Sequence, residues 1–194
     1  MKPENILKLQ EHFPYLIPRN VYTGDIIESD KPYILGFEGT GWERLFLLYC
    51  KHMREHLLAA NALETFQFTQ LKEKYGSMRL YDTGAPSSAY AVGLENIYEY
   101  LGTVVCYRCG ELTKYVTEGY VEYLCSSCKK KLKKKIGVKV KRRRFKRVLK
   151  TQIFSASGVV DRKYKLRPYI KEYLHCKKMD EDTFVEYLMG VNKI

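Results

Sequence analysis

Four cysteines in two closely spaced pairs constrain the fold of this chain more than any other feature of its sequence. Cys106 and Cys109 form the first pair and Cys125 and Cys128 the second, with two residues inside each pair and fifteen between the pairs. Two intervening residues let a tight turn present both sulfurs to one ion, and Gly110 suits the backbone of such a turn. The spacing matches that of a four-thiolate zinc site.

The segment between the pairs predicts the type of metal module. Residues 111–124 contain two β-like runs on either side of Glu118 and Gly119, and a hairpin there would bring the second pair onto the first. We expect a zinc ribbon or, if a helix begins near Ser126, a treble clef. Four thiolates leave zinc no open coordination position, so one Zn²⁺ per chain would be structural. The spacing alone leaves disulfides, a redox pair and an iron–sulfur centre as alternatives.

The cellular compartment bears on that choice. No run approaches the roughly 18 apolar residues that cross a bilayer, and residues 1–5 do not resemble the start of a signal peptide. We therefore expect a cytoplasmic protein, in the host cytoplasm if the chain is viral, with no membrane partner. Paired cysteines in that compartment are more often metal ligands than disulfides.

The positive charge of the chain is confined to one segment. The net charge is +12, and residues 129–150 hold 14 of the 34 basic residues and no acidic residue, which leaves 20 basic against 22 acidic residues elsewhere. We call residues 129–150 the basic segment. Charge separated in this way implies an anionic partner more strongly than a diffuse basic composition does.

Nucleic acid is the partner that the basic segment favours. Lysine and arginine neutralise phosphates and release counterions, and an aromatic side chain stacks on an unpaired base. We expect binding to RNA or DNA, or to a protein complex that contains one of them. An acidic protein surface and a solvated tail are the alternatives, although interleaved apolar residues such as Val140 and Leu149 argue against a tail. The predicted contacts are Lys129, Lys130, Lys131, Lys133, Lys134, Lys135, Lys139, Lys141, Arg142, Arg143, Arg144, Phe145, Lys146, Arg147 and Lys150.

The residues before the cysteines predict an α+β body. Apolar spacings of three and four predict helices over 4–11 and 41–60, and alternation within residues 64–84 predicts a hairpin that turns at Gly76. A further helix is expected to begin at Ser87 or Ser88 and to reach about residue 102.

The residues after the cysteines are harder to assign. Periodicity does not decide whether residues 138–150 form a strand or a helix, whereas Pro168 suits the first turn of a helix and Asp180 or Asp182 suits the cap of another. The expected organisation is an α+β body (1–104), a four-cysteine zinc module (105–136) and a basic segment with C-terminal helices (137–194).

Other reactive residues carry weaker signals. Cys50, His52 and His56 lie on the predicted helix, and the two histidines share a face. No acidic residue occupies the position that a zinc-protease helix motif requires, so histidines at the edge of an apolar face are the preferred interpretation.

Enzymatic activity has little support in the sequence. Phosphate-binding loops and nucleophile motifs are absent, and Glu73, Asp82 and Glu95 would have to converge in the fold to form a catalytic group. We expect a protein that is not an enzyme and has no catalytic residue.

Four short stretches between residues 41 and 128 form a shared pattern: "GWERLF" (41–46), "QLKEKYGSMRLY" (70–81), "CYRCG" (106–110) and "LCSSC" (124–128). In this pattern the chain resembles a family of small uncharacterised phage and prophage zinc-binding proteins, in which the last ligand is often histidine. The resemblance implies a viral origin and brings no assigned activity. A phage accessory protein of this kind would act on nucleic acid, or would antagonise a host defence ribonucleoprotein nuclease by binding its guide RNA or nucleic-acid channel, as anti-CRISPR proteins do.

Overall fold

The structure is a computed structural model of the chain, and it describes residues 1–20, 22–27, 36–86, 88–136, 139–144, 146–155 and 158–191. Helices and small antiparallel sheets alternate along it, which confirms the α+β class. The helices are α1 (Pro3–His12), α2 (Glu43–Ala59), α3 (Ala89–Val104), α4 (Ser126–Ile136), α5 (Arg167–Cys176) and α6 (Glu181–Leu188), with a 3-10 turn at Pro14–Leu16. The strands are β1 (Gln67–Lys74), β2 (Ser77–Thr83), β3 (Tyr115–Thr117), β4 (Tyr123–Leu124), β5 (Val140–Arg142), β6 (Val148–Ser155) and β7 (Gly158–Lys165).

The body contains the helices and the hairpin that the sequence predicts. α2 buries Phe46, Tyr49 and Met53 along one face, in accordance with their helical spacing. β1 and β2 pair in an antiparallel register that closes at Lys74 and Ser77, with both turn residues at positive φ. α3 begins after Ser88, whose hydroxyl accepts the N–H of Ala91 and caps the helix.

The segment between the cysteine pairs forms the predicted hairpin, and a third strand joins it. β3 pairs with β4 on one side and with β5 on the other. Tyr115 lies opposite Leu124 in the first pairing and opposite Arg142 in the second. The basic segment therefore forms strands on both sides of residue 145, a choice that periodicity had left open.

A second hairpin follows that the sequence analysis did not predict. β6 and β7 pair from Val148 opposite Lys165 to Ser155 opposite Gly158. The hairpin packs on α3, where Gly93 leaves room for the hydroxyl of Tyr164: an added Cβ would lie 2.1 Å from that oxygen. The contact with α3 joins the end of the basic segment to the body.

The C-terminal helices complete the core of the body. α5 packs on α2, and α6 packs on both α1 and α2. Tyr173 and Phe184 are buried in the same cluster as Trp42 and Phe46 of the body. Asp180 caps α6 by accepting the N–H of Thr183, as predicted. None of the described helices has the length and apolar character that crossing a membrane requires.

Candidate metal centre and basic groove

The thiols of Cys106, Cys109, Cys125 and Cys128 converge on one point. Their sulfur atoms all lie within 4.8 Å of one another, and Cys109 Sγ lies 3.5 Å from the sulfurs of Cys125 and Cys128. A tetrahedral site with metal–sulfur bonds of about 2.3 Å requires sulfur separations of about 3.8 Å. The four cysteines could therefore hold a metal ion, and within the described ranges they are the one group of this kind. All four are free thiols, so the alternative of disulfides does not describe this structure.

Two local backbone motifs aim the thiols. In the first pair, the N–H groups of Cys109 and Gly110 both donate to the carbonyl of Cys106, and Gly110 takes φ +75°, a conformation that glycine adopts without strain. In the second pair, the N–H of Cys128 donates to Cys125 Sγ at 3.3 Å, so the thiol of Cys125 lies at the N-terminus of α4. Both motifs depend on neighbours in sequence, which is why the spacing predicts them.

The electrostatic environments of the thiols differ. Burial raises the pKa of Cys106 to about 11. Burial also opposes ionisation of Cys125, but hydrogen bonds from the N–H of Cys128 and from the thiols of Cys109 and Cys128 outweigh it and lower the pKa of Cys125. A bound cation would favour the thiolate at all four positions.

The first cysteine pair is joined to the body by hydrogen bonds to the backbone carbonyls of residues in and beside the pair. The N–H of Gly41 donates to the carbonyl of Tyr107 at 2.5 Å, and the indole N–H of Trp42 donates to the carbonyl of Val105 at 2.9 Å. From the C-terminal side, the hydroxyl of Tyr173 donates to the carbonyl of Gly110 at 2.7 Å. The candidate metal centre is thus held between the start of α2 and the middle of α5.

The basic segment divides into exposed and engaged side chains. The guanidinium of Arg143 donates to the carbonyl of Thr103 at 3.1 Å and lies 4.2 Å above the ring of Tyr123. Lys129 covers Tyr115, and Lys141 pairs with Glu118. The exposed members are Lys130, Lys131, Lys139, Arg142, Arg144, Lys146, Arg147 and Lys150, whereas Phe145 and the side chains of Lys133, Lys134 and Lys135 lie outside the described residues.

A groove at the open end of the second hairpin is lined by basic residues from the start of β6, the end of β7 and α5. Its cavity volume is about 630 Å³, and among the residues described no acidic side chain lines it. The N–H of Leu166 donates to the carbonyl of Arg147 and fixes the start of α5 beside β6. We call this the basic groove; its lining residues are Lys146, Arg147, Val148, Lys165, Arg167, Ile170 and Lys171.

The sequence analysis assigned only two of the basic groove residues to the anionic partner. Lys165, Arg167 and Lys171 lie outside the basic segment, in residues 162–171, which hold five basic residues and no acidic residue. The antiparallel return of β7 along β6 is what brings Lys165 to Val148. The alternation of β7, read as the partner of β6, is the signal that would have found Lys165; Arg167 and Lys171 lie on α5, which follows β7 directly.

His52 and His56, considered above as a metal-binding pair, have separate hydrogen-bond partners. His52 Nδ1 lies 2.9 Å from the hydroxyl of Tyr98, and its Nε2 lies 3.0 Å from a carboxylate oxygen of Glu172. His56 Nε2 lies 2.9 Å from the hydroxyl of Ser88. Cys50 is fully buried in the core. The histidines are engaged in hydrogen bonds between α2 and its neighbours. Burial disfavours the charged form of Glu172, but its interactions with His52 and other neighbours together have the larger effect. The pKa of the Glu172 carboxyl is therefore lowered to about 2.

Two of the three carboxylates considered for catalysis interact. Burial raises the pKa of Asp82 to about 6. Burial and the nearby charges of Asp82 and Glu99 raise the pKa of Glu95 to about 7. Glu73 is engaged elsewhere, since its carboxylate accepts the N–H of Gly76 and the hydroxyl of Tyr120. The absence of enzymatic activity stays a prediction.

Comparison of the chain with protein-family models, curated proteins and solved structures gives no match.

Proposed function

We propose that this protein binds a nucleic acid, with its phosphate backbone lying along the basic groove and the exposed part of the basic segment. The observation that carries the proposal is the composition of the groove, where five cationic side chains surround Val148 and Ile170. Such a surface suits a nucleic-acid backbone, because each phosphate that a lysine or arginine neutralises releases a condensed counterion.

The register of the second hairpin supports the same ligand. Lys150 lies directly opposite Lys163, and both are exposed on the face that also carries Lys165. Like charges in directly opposite positions of an antiparallel pair destabilise it. Phosphates bound along this face would offset that repulsion, which favours an anionic ligand.

We further propose that the ion of the metal centre is zinc and that its role is structural. Four thiolates in tetrahedral geometry suit zinc, and they leave no position open for a substrate. The order of a cysteine turn, a hairpin and a helix that begins at Ser126 supports a treble clef as the type of metal module. In this role the metal fixes β3, and β5 of the basic segment is paired to β3.

The proposal is tested by binding across a salt series. The zinc-loaded protein is titrated with labelled single-stranded RNA, single-stranded DNA and duplex DNA, beside a triple variant with Lys165, Arg167 and Lys171 changed to Gln. We expect the logarithm of affinity to fall with the logarithm of salt, and the variant to lower that slope by about 2 because it loses about 0.7 to 0.9 per phosphate contact.

A matched control carries the same change of charge away from the basic groove. Lys8, Lys74 and Lys178 are exposed, do not line the groove and lie outside the basic segment. Their triple change to Gln is expected to leave most of the affinity and slope intact. Equal loss in both variants, or no binding at low salt, would contradict the proposal; binding confined to a ribonucleoprotein would favour the role of a nuclease antagonist instead. The phage origin stays a prediction.

A further inference from the structure

A second pocket lies beside the candidate metal centre, and four of its eight lining residues are aromatic. Its cavity volume is about 430 Å³, and it lies between the β1–β2 turn, the first cysteine pair and the β3–β4 hairpin. We call it the aromatic pocket; its lining residues are Trp42, Glu73, Gly76, Tyr107, Arg108, Tyr120, Glu122 and Tyr123.

The polar groups of the aromatic pocket are held in place without a ligand. The guanidinium of Arg108 donates to both carboxylate oxygens of Glu122, in a bidentate pair. The hydroxyl of Tyr120 donates to Glu73 at 2.8 Å, although the ring of Tyr120 is 75% exposed. An exposed aromatic ring that is tied at its hydroxyl is a preformed contact surface, because part of its conformational freedom is already lost.

The chemistry of the lining selects the part of a ligand that enters. Aromatic rings stack on planar, uncharged groups, and every nucleobase has such a face. Two carboxylates and one guanidinium line the pocket, so a phosphate would be repelled, whereas the amino and carbonyl edges of a base find acceptors and donors there.

The pocket borders the basic segment. Tyr123, one of its walls, is covered on a face by the guanidinium of Arg143 in the residues next to β5. Lys141 lies opposite Val116 in the pairing of β5 with β3, as Tyr123 does in the pairing of β4 with β3, so this exposed lysine is on the same face of the sheet as Tyr123. A strand with a phosphate at Lys141 would therefore have its bases on the side of the sheet that carries the aromatic pocket.

We propose that the aromatic pocket takes an unpaired nucleobase, so that the nucleic acid bound by this protein is single-stranded or carries an unpaired loop. This rests on the proposed nucleic-acid binding and makes it specific, because a base within a duplex is stacked and does not enter a pocket of this kind without being flipped out.

Trp42 reports on the pocket through its neighbour Tyr107. It is the single tryptophan of the chain and is only 1% exposed, and its ring centroid lies 4.9 Å from that of Tyr107, which lines the pocket. The zinc-loaded protein is titrated with a single-stranded oligonucleotide and with the same oligonucleotide in which abasic sites replace the bases. We expect the intact strand to change the emission of Trp42 and the abasic strand to leave it unchanged at equal saturation.

Variants of Tyr120 separate stacking from charge. Tyr120→Ala is expected to lower affinity for the intact strand by about fivefold to about a hundredfold, and to leave affinity for the abasic strand unchanged. Tyr120→Phe keeps the ring and should retain most of the affinity. Tyr22→Ala is the matched control, because Tyr22 is 94% exposed and does not line the pocket.

The outcomes distinguish this inference from the proposed function. If no oligonucleotide binds at low salt, nucleic-acid binding fails and the inference falls with it. If intact and abasic strands bind equally and both depend on the basic groove, nucleic-acid binding stands and the inference is overturned. A response of Trp42 to a trimethyllysine peptide but to no oligonucleotide would also overturn it, in favour of a cationic side chain as the occupant.

Discussion

Replacing Gly41 with alanine tests how closely the candidate metal centre is joined to the body. A Cβ at Gly41 would lie 2.0 Å from the backbone nitrogen of Gly110 and 2.1 Å from the carbonyl oxygen of Cys106. Both are backbone atoms of the first cysteine turn, so no side chain can rotate out of the way. The turn and the start of α2 would have to separate until these contacts reach the ordinary range, which begins at 3.4 Å.

The magnitude of the effect is the sum of strain and lost hydrogen bonds. Forcing a methyl group into a packed site costs about 1 to 3 kcal/mol. The separation also breaks the bond from Gly41 N–H to Tyr107 and the bond from Tyr173 to Gly110, at about 1 kcal/mol each. We expect Gly41→Ala to lower the free energy of unfolding by about 3 to 5 kcal/mol, which lowers Tm by about 10 °C in a chain of this size.

The assay is thermal unfolding at a fixed zinc concentration, with metal affinity measured in parallel by competition with a chromogenic chelator. We expect Gly41→Ala to lower both Tm and metal affinity, because the variant strains the turn that presents Cys106 and Cys109. Gly36→Ala is the matched control: its Cβ would lie 3.4 Å from Leu71, at the edge of ordinary contact, and its φ is not positive. If Gly41→Ala melts with the wild type and the control, the close approach of Gly41 to the cysteine turn is wrong.

Three further changes test other parts of the structure. A strong chelator, or Cys106→Ser, is expected to remove about one zinc per chain and to unfold the metal module. Metal analysis measures the loss of zinc and circular dichroism measures the unfolding. An unchanged spectrum in metal-free protein would refute the site. Arg143→Lys is expected to lower stability by about 1 to 2 kcal/mol in urea unfolding, because lysine keeps the charge but loses the guanidinium contacts, whereas exposed Arg142→Lys should be neutral. For Glu95 the folded pKa of about 7 lies above the ordinary value of 4.5, so the folded state holds the proton more tightly and stability falls as pH rises from about 4.5 through 7. Glu95→Gln should remove about 2 kcal/mol of that fall, allowing for partial solvent exposure, and parallel curves for variant and wild type between these pH values would contradict the shift.

The predictable elements of the fold are those with local determinants. α2 and the β1–β2 hairpin follow from apolar spacing and from a two-residue turn at Tyr75 and Gly76, all within a few residues. The same holds for the first turn of α5, where Pro168 lies as predicted. By contrast, the β6–β7 hairpin was not predicted, because its second strand has no long apolar run and gains its inner contact from α3, far earlier in the chain.

The role of Arg143 shows a further limit of sequence reasoning. Composition places it in a run of three arginines and assigns all three to one partner. In the structure, its guanidinium is occupied by Thr103 and Tyr123, while its two neighbours are exposed. Adjacent residues of an extended segment point to opposite sides, so a charge run is divided between the protein and the solvent by pairings that the run does not encode.

The sequence by itself determined the four thiols and the location of the excess charge. Both are short-range properties: two residues between cysteines fix a turn, and a count of lysines and arginines fixes a charge. Only the tertiary structure decided which charges share a surface, since Lys165, Arg167 and Lys171 reach Lys146 and Arg147 through the antiparallel return of β7. It also placed Trp42 beside the first cysteine pair. These contacts join residues far apart in the chain, and the burial of a common core, not local periodicity, selects them.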